Sequence, residues 1–123
     1  MSNKAELIIE APNGDFCPVR LMQKIMEGKW KFIILYYLML KPTRFNELQR
    51  LIPNISHGVL TAQLRELEKY HIVDRRVLEI KPPKVEYSLS SLGREFVPVM
   101  NTMIDFGKLY AKEVPVQFAD TSS

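Results

Sequence analysis

Between residues 43 and 89 the apolar residues change their spacing, and that change leaves few folds open. Leu60, Leu64 and Leu67 recur every three or four residues, the period of a helix with one buried face. Val85, Tyr87 and Leu89 alternate, the period of a strand with one buried face. Ser56 stands where it can cap the start of the helix. Before it, Pro53-Asn54 is a turn signal. Thr43 is expected to cap a shorter helix with Phe45, Leu48, Leu51 and Ile52 facing inward. After it, Val73–Ile80, Lys81-Pro82-Pro83 and Lys84–Leu89 read as a hairpin. A short helix, a turn, a capped amphipathic helix and then a hairpin describe a helix-turn-helix followed by a wing.

The flanks add helices. Pro18 suits a first helical turn, because its missing N–H is not needed there. Val19, Met22, Ile25 and Met26 follow at helical spacing, and Gly28 ends that helix. A second helix is expected from about Lys29 to Lys41, apolar on nearly every side and therefore buried on nearly every side. His71 is expected to extend the Leu60–Leu67 stripe. Ser90 is expected to cap one last helix to about Glu113, kinked at Pro98. The fold class is mainly α with a small β-hairpin wing, a winged helix-turn-helix with extra N- and C-terminal helices forming a dimer interface. Residues 1–15 read as a flexible arm, 16–114 as the domain and 115–123 as a flexible tail.

Charge points to a polyanion. The chain carries a net charge of +3, and the excess is local. Lys41 to Lys84 holds nine basic and five acidic residues, a net of +4, and the remainder holds eight and nine, a net of −1. Neutralising phosphates releases condensed counterions, so a basic segment suits nucleic acid. A single cysteine excludes an internal disulfide framework. The longest apolar run, Phe32 to Leu40, is nine residues, against roughly 20 for a spanning helix. The N-terminus has no secretory pattern, so a cytoplasmic protein is expected. Only His57 and His71 are present, no Cys/His cluster supplies a metal site, and no Gly-rich phosphate loop occurs. The expectation is no enzyme, no metal and no cofactor.

With Leu60, Leu64 and Leu67 inward, Gly58, Thr61, Ala62, Arg65 and Lys69 point outward at about 100° per residue. Ser56, His57 and Thr61 lie at the helix start, where side chains reach base edges in the major groove. Gln63 lies to the side, where a phosphate is a candidate partner. Arg65 can take a guanine or a phosphate. In the wing, Arg75, Lys81 and Lys84 are candidate phosphate contacts. Arg44, at the start of the short helix, adds its charge to the helix dipole there.

These motifs together resemble the HxlR-type transcriptional regulators, a winged-helix family. The resemblance covers about Cys17 to Gly107. It rests on Cys17-Pro18-Val19, Gly28-Lys29-Trp30, Arg44-Phe45 with Glu47-Leu48, Ile55-Ser56 and Leu60-Thr61. It continues through Gln63-Leu64-Arg65-Glu66-Leu67, Pro82-Pro83, Val85 to Leu89, Leu92-Gly93 and Pro98-Val99. It implies a sequence-specific regulator that binds double-stranded DNA as a homodimer built on the terminal helices. Gly58 stands where the family has a long polar residue and Ala62 where Gln is frequent, which leaves less side chain to read bases.

The dimer also has a physical basis. Phe96, Val99, Met100, Met103, Ile104, Phe106, Leu109 and Tyr110 cover more than one stripe of the last helix, and Val19 and Met22 add to them from the first. A two-fold dimer would meet a pseudo-palindromic operator. Cys17, beside a helix N-terminus with Arg20, Lys29 and Lys31 as candidate neighbours, is a candidate redox sensor, since such a place favours thiolate. The resemblance implies the same, because several of that family sense oxidants or electrophiles through a cysteine there. The alternative for Cys17 is an inert packing residue. Two further functional readings stay open: a winged helix used only for protein contacts, and a MarR-like regulator responding to a small-molecule effector. Trp30, Tyr36, Tyr37 and the methionines of the last helix would line that effector's pocket, unless they are ordinary core.

Overall fold

Caps and breakers divide the described residues into six helices and three strands. The computed structural model describes residues 17–117. The arm expected over 1–15 and the end of the tail, 118–123, lie outside the described residues. Helix α1 spans Pro18–Ile25 and α2 spans Lys31–Leu40. Strand β1 is Thr43–Arg44, followed by α3, Phe45–Leu51, and α4, His57–Lys69. Strands β2, Val73–Glu79, and β3, Lys84–Leu89, form the hairpin. Helices α5, Ser91–Glu95, and α6, Val97–Glu113, complete the order. No helix among the described residues is long and apolar enough to cross a membrane.

Helix α4 is built from its ends inward. Ser56 Oγ accepts from the Val59 N–H at 3.1 Å and satisfies one of the four unpaired donors of the first turn. Leu60, Leu64 and Leu67 are fully buried, each contributing on the order of 2 kcal/mol by leaving water. At the far end the Ile72 N–H reaches Leu67 C=O at 3.0 Å and the His71 N–H reaches Glu68 C=O at 2.9 Å. This pair of bonds closes a helix through a left-handed residue, here His71 at φ 63. His71 therefore does not continue the buried stripe as its spacing suggests; Tyr70 takes the buried place instead. Asn54, also left-handed at φ 67, makes the turn between α3 and α4.

The sheet holds one strand more than the hairpin. Its order is β1-β3-β2, with Thr43 opposite Tyr87 and Arg44 opposite Glu86. Thr43 is thus a buried strand residue whose hydroxyl donates to Lys41 C=O at 2.9 Å, and Arg44 is the residue before α3. The expected Thr43 cap is absent because its backbone is committed to β3. Leu51, expected inward, is exposed, while Leu48 and Ile52 are buried.

The core gathers Ile34, Leu35 and Leu38 of α2, Leu48, Ile52 and Ile55, the α4 leucines, Val73, Tyr87, Leu89 and Met100. Trp30 and Tyr37 pack against it as partly buried residues. Helix α2 is less enclosed than its composition suggests, since Leu40 is exposed. The last helix is two helices. Ser90 Oγ accepts from the Gly93 N–H at 2.9 Å and donates to His71 C=O at 2.7 Å, tying α5 to the end of α4. The break falls at Phe96, so Pro98 sits in the first turn of α6, where a proline costs no hydrogen bond, and not as a mid-helix kink.

Candidate nucleic-acid interface

Three elements meet around the start of α4. The N-terminal ends of α3 and α4 converge on the Pro82-Pro83 tip of the wing, and the β1–β3 pairing fixes the distance between them. Between them runs an open groove of about 790 Å³, lined by Arg44, Phe45, Asn46, Glu47, Arg50, His57, Pro82, Pro83, Lys84 and Val85. The Phe45 and His57 rings touch, with centroids 4.7 Å apart, which joins α3 to the first residue of α4.

The basic residues stand on both walls of this groove. Arg44 and Arg50 come from the α3 side and Lys84 from the wing. Lys84 Nζ lies 3.2 Å from Glu79, and Lys41 Nζ lies 3.6 Å from Glu47. Exposed pairs of this kind contribute about 0–1 kcal/mol, so an incoming phosphate can compete for the cations. Arg50 and Asn46 were not among the residues expected from sequence. The signal was there: the two are four apart on α3, opposite Leu48 and Ile52.

Along α4, His57, Gly58, Ala62, Arg65 and Lys69 are exposed, as is the cap Ser56. A Cβ on Gly58 would meet nothing within 4 Å. Thr61 is half-buried, and its hydroxyl donates to His57 C=O at 2.8 Å, which leaves its oxygen as an acceptor. Gln63 lies apart from this row. Its Oε1 is buried, without a hydrogen-bond partner among the described residues, and sits 3.7 Å from where a Cβ on Gly28 would be. That end of the amide faces the α1–α2 turn.

In the wing, Lys81 and Arg76 are exposed and Arg75 pairs with Glu68 of α4 at 3.3 Å. The Tyr87 hydroxyl is held above its ordinary pKa of 10.0, mainly by burial and further by Glu68, with Arg75 and Arg65 opposing. Tyr87 is therefore a neutral core residue at physiological pH.

The candidate dimer residues separate into two groups. Val19, Met22, Met103 and Tyr110 are exposed, and Phe96 and Ile104 are half-buried. Val99, Phe106 and Leu109 are exposed beside them. Met100 is different: it is 0% exposed within the single chain, packed into the core, and cannot meet a partner. It is the inward residue of the first turns of α6. Cys17 is half-buried at the N-cap of α1, where its C=O accepts from the Leu21 N–H at 3.0 Å. Of its expected neighbours, Lys31 is committed elsewhere, its ammonium lying 2.6 Å from Glu66 on α4. Lys29 lies over the Trp30 ring at 4.8 Å. Among the described residues no cluster of His, Cys, Asp and Glu is arranged to hold a metal ion.

Comparison with known proteins agrees with this geometry. Residues 25–115 match the family model described as HxlR-like helix-turn-helix. The uncharacterized HTH-type transcriptional regulator YdeP of Bacillus subtilis (strain 168) is 44% identical over 111 residues, covering 89% of this chain and 87% of that protein. Among solved structures, the redox regulator HypR in its reduced form superposes with a TM-score of 0.73 at 42% identity, covering 77% of this chain and 94% of that one. HypR in its oxidized form gives 0.70 at 44% identity, covering 76% and 96%.

Proposed function

Because the chain belongs to the HxlR-like helix-turn-helix family, we propose that it is a transcriptional regulator that binds double-stranded DNA sequence-specifically as a homodimer. The observation that carries this reading is the groove between α3 and the wing, with cations on both walls and the exposed start of α4 at its edge. Helix α4 enters the major groove with Ser56, His57, Gly58, Thr61, Ala62 and Arg65 toward the bases. A phosphate strand passes between Arg44 and Arg50 on one side and Lys84 on the other, with Lys69, Lys81 and Arg75 as outer contacts. The exposed apolar row of α6, with Val19 and Met22 of α1, supports two-fold pairing. Two recognition helices about 34 Å apart then face a pseudo-palindrome.

Selection of bound duplexes from a random pool tests this. The expected product is an enriched pseudo-palindrome whose binding weakens steeply with salt. Arg44→Ala and Lys84→Ala should each lower the salt slope by about 1. A pool that emerges unenriched would count against sequence-specific binding.

Cys17 at the head of α1 is proposed as an oxidant-responsive thiol, supported by its place at a helix N-terminus and by likeness to HypR, a redox regulator solved in both forms. Treatment with diamide should change affinity for the selected DNA in the parent protein and leave Cys17→Ser unaffected. Equal responses from the two proteins would remove Cys17 from that role.

A further inference from the structure

Lys31 is the first residue of α2, and its side chain is completely enclosed. Its ammonium donates to Glu66 Oε1 at 2.6 Å and to Glu27 C=O at 2.7 Å. One group thus joins the α1–α2 turn at Glu27, the start of α2 and the C-terminal part of α4. A buried ammonium loses its hydration and is tolerated only when oxygens replace the lost water. A methionine of similar length would fill the same space without that demand. What the lysine adds over an apolar residue is direction.

Direction matters for α4. Its buried face is three leucines, and apolar burial is nondirectional, so leucines alone set the depth of the helix better than its rotation. Glu66 follows Arg65 directly and stands one turn beyond Ala62, both on the outer face. Pinning the Glu66 carboxylate fixes the angle at which that face is presented. Gln63, one turn before Glu66, turns its buried Oε1 toward Gly28 in the same α1–α2 turn. Gly28 holds φ +101, a backbone state that a side chain would strain. Two polar residues of α4 therefore reach toward one turn, Gln63 at Gly28 and Glu66 through Lys31 to Glu27.

We propose that Lys31 is a positioning residue for DNA recognition: held by Glu27 and acting through Glu66, it sets the rotation of α4 and so the discrimination between the preferred site and other DNA. This rests on the DNA-binding reading above. Sites of recognition need their groups held within about 0.5 Å and 10–20°, which a hydrogen-bonded ion pair supplies. Lys31 is buried away from the groove, so it has no phosphate to neutralise.

The test compares the parent protein with Lys31→Met, Glu66→Ala and the double variant. The probes are the duplex selected by the parent and a scrambled duplex of equal length, each titrated at several salt concentrations beside thermal unfolding. Lys31→Met should lower affinity for the selected duplex by about tenfold, within the range that coupled pairs convert to. Affinity for scrambled DNA and both salt slopes should stay unchanged, because no phosphate contact is lost. Glu66→Ala should have the same sign, and the double variant should lose no more than the larger single loss. A folded Lys31→Met protein with an undiminished preference for the selected duplex overturns the proposal and leaves DNA binding standing. Should Lys31→Met not fold, the same preference measured on Glu66→Ala decides it. A parent protein that binds neither duplex overturns the DNA-binding reading itself, and the positioning role falls with it.

Discussion

Single residues at the α4–α5 junction carry more of the fold than their size suggests. Gly93 is buried, and a Cβ there would lie 2.2 Å from the carbonyl oxygen of Ile72, a backbone atom that cannot swing aside. Ser90 donates to the neighbouring carbonyls, so the junction is hydrogen-bonded as well as close. Gly93→Ala should therefore cost about 1–3 kcal/mol or more, read as a Tm lower by about 4–8 °C per kcal/mol. His71 presents the opposite case. It occupies the left-handed position that ends α4, where glycine carries no steric penalty. His71→Gly should raise Tm, by up to about 1 kcal/mol of stability, since the gain is partly offset by a freer unfolded chain. A fall in Tm for His71→Gly would show that the imidazole makes contacts worth more than the strain.

At the scale of elements, β3 joins β1 to the rest of the wing through Tyr87, which pairs with Thr43 on one side and Arg75 on the other. Partial burial makes the Tyr87 hydroxyl keep its proton to higher pH in the folded protein than in the unfolded chain. The stabilisation is complete below pH 10.0 and is lost as pH rises beyond it toward the folded value. Tyr87→Phe should make the alkaline fall in Tm shallower, measured just below and well above pH 10; an unchanged slope would place the alkaline sensitivity elsewhere. The elements also show what a sequence reveals. Helix α4, its Ser56 cap and its leucine stripe were legible because each follows from local spacing. Strand β1 was not, because two residues carry no period and Thr43-Arg44 becomes a strand only through pairing with Tyr87 and Glu86 far along the chain. The outer row of α4 could be read from helical geometry, whereas the second wall of the groove could not. Asn46 and Arg50 join Lys84 only once the wing is folded back over α3. Lys31 was hidden for a related reason: a lysine reads as solvated until a carboxylate from another helix is found above it.

For the whole molecule, α6 separates the chain's own core from an exposed apolar row, the surface proposed to meet a second copy. Met100 belongs to the first and Phe106, 62% exposed, to the second. Met100→Ala should lower Tm as a core truncation of about 2–5 kcal/mol. Phe106→Glu should leave Tm of the single chain nearly unchanged and shift the mass in solution from dimer to monomer, with weakened DNA binding. If Phe106→Glu sediments as the parent does, the apolar row of α6 is not the dimer contact. The β1–β3 rung has a different reach. It closes a ring of chain from Thr43 to Tyr87, and every side chain proposed to meet DNA, from Arg44 to Lys84, lies inside that ring. The cysteine at the head of α1 and the apolar row of α6 lie outside it. The ring thus sets the side chains proposed for DNA apart from those proposed for signal and assembly, although both share one core. Residues 43–87 of a relative placed in this chain should carry operator choice with them and leave signal and assembly to the host, provided that Lys31 of the host finds a carboxylate at position 66 of the insert.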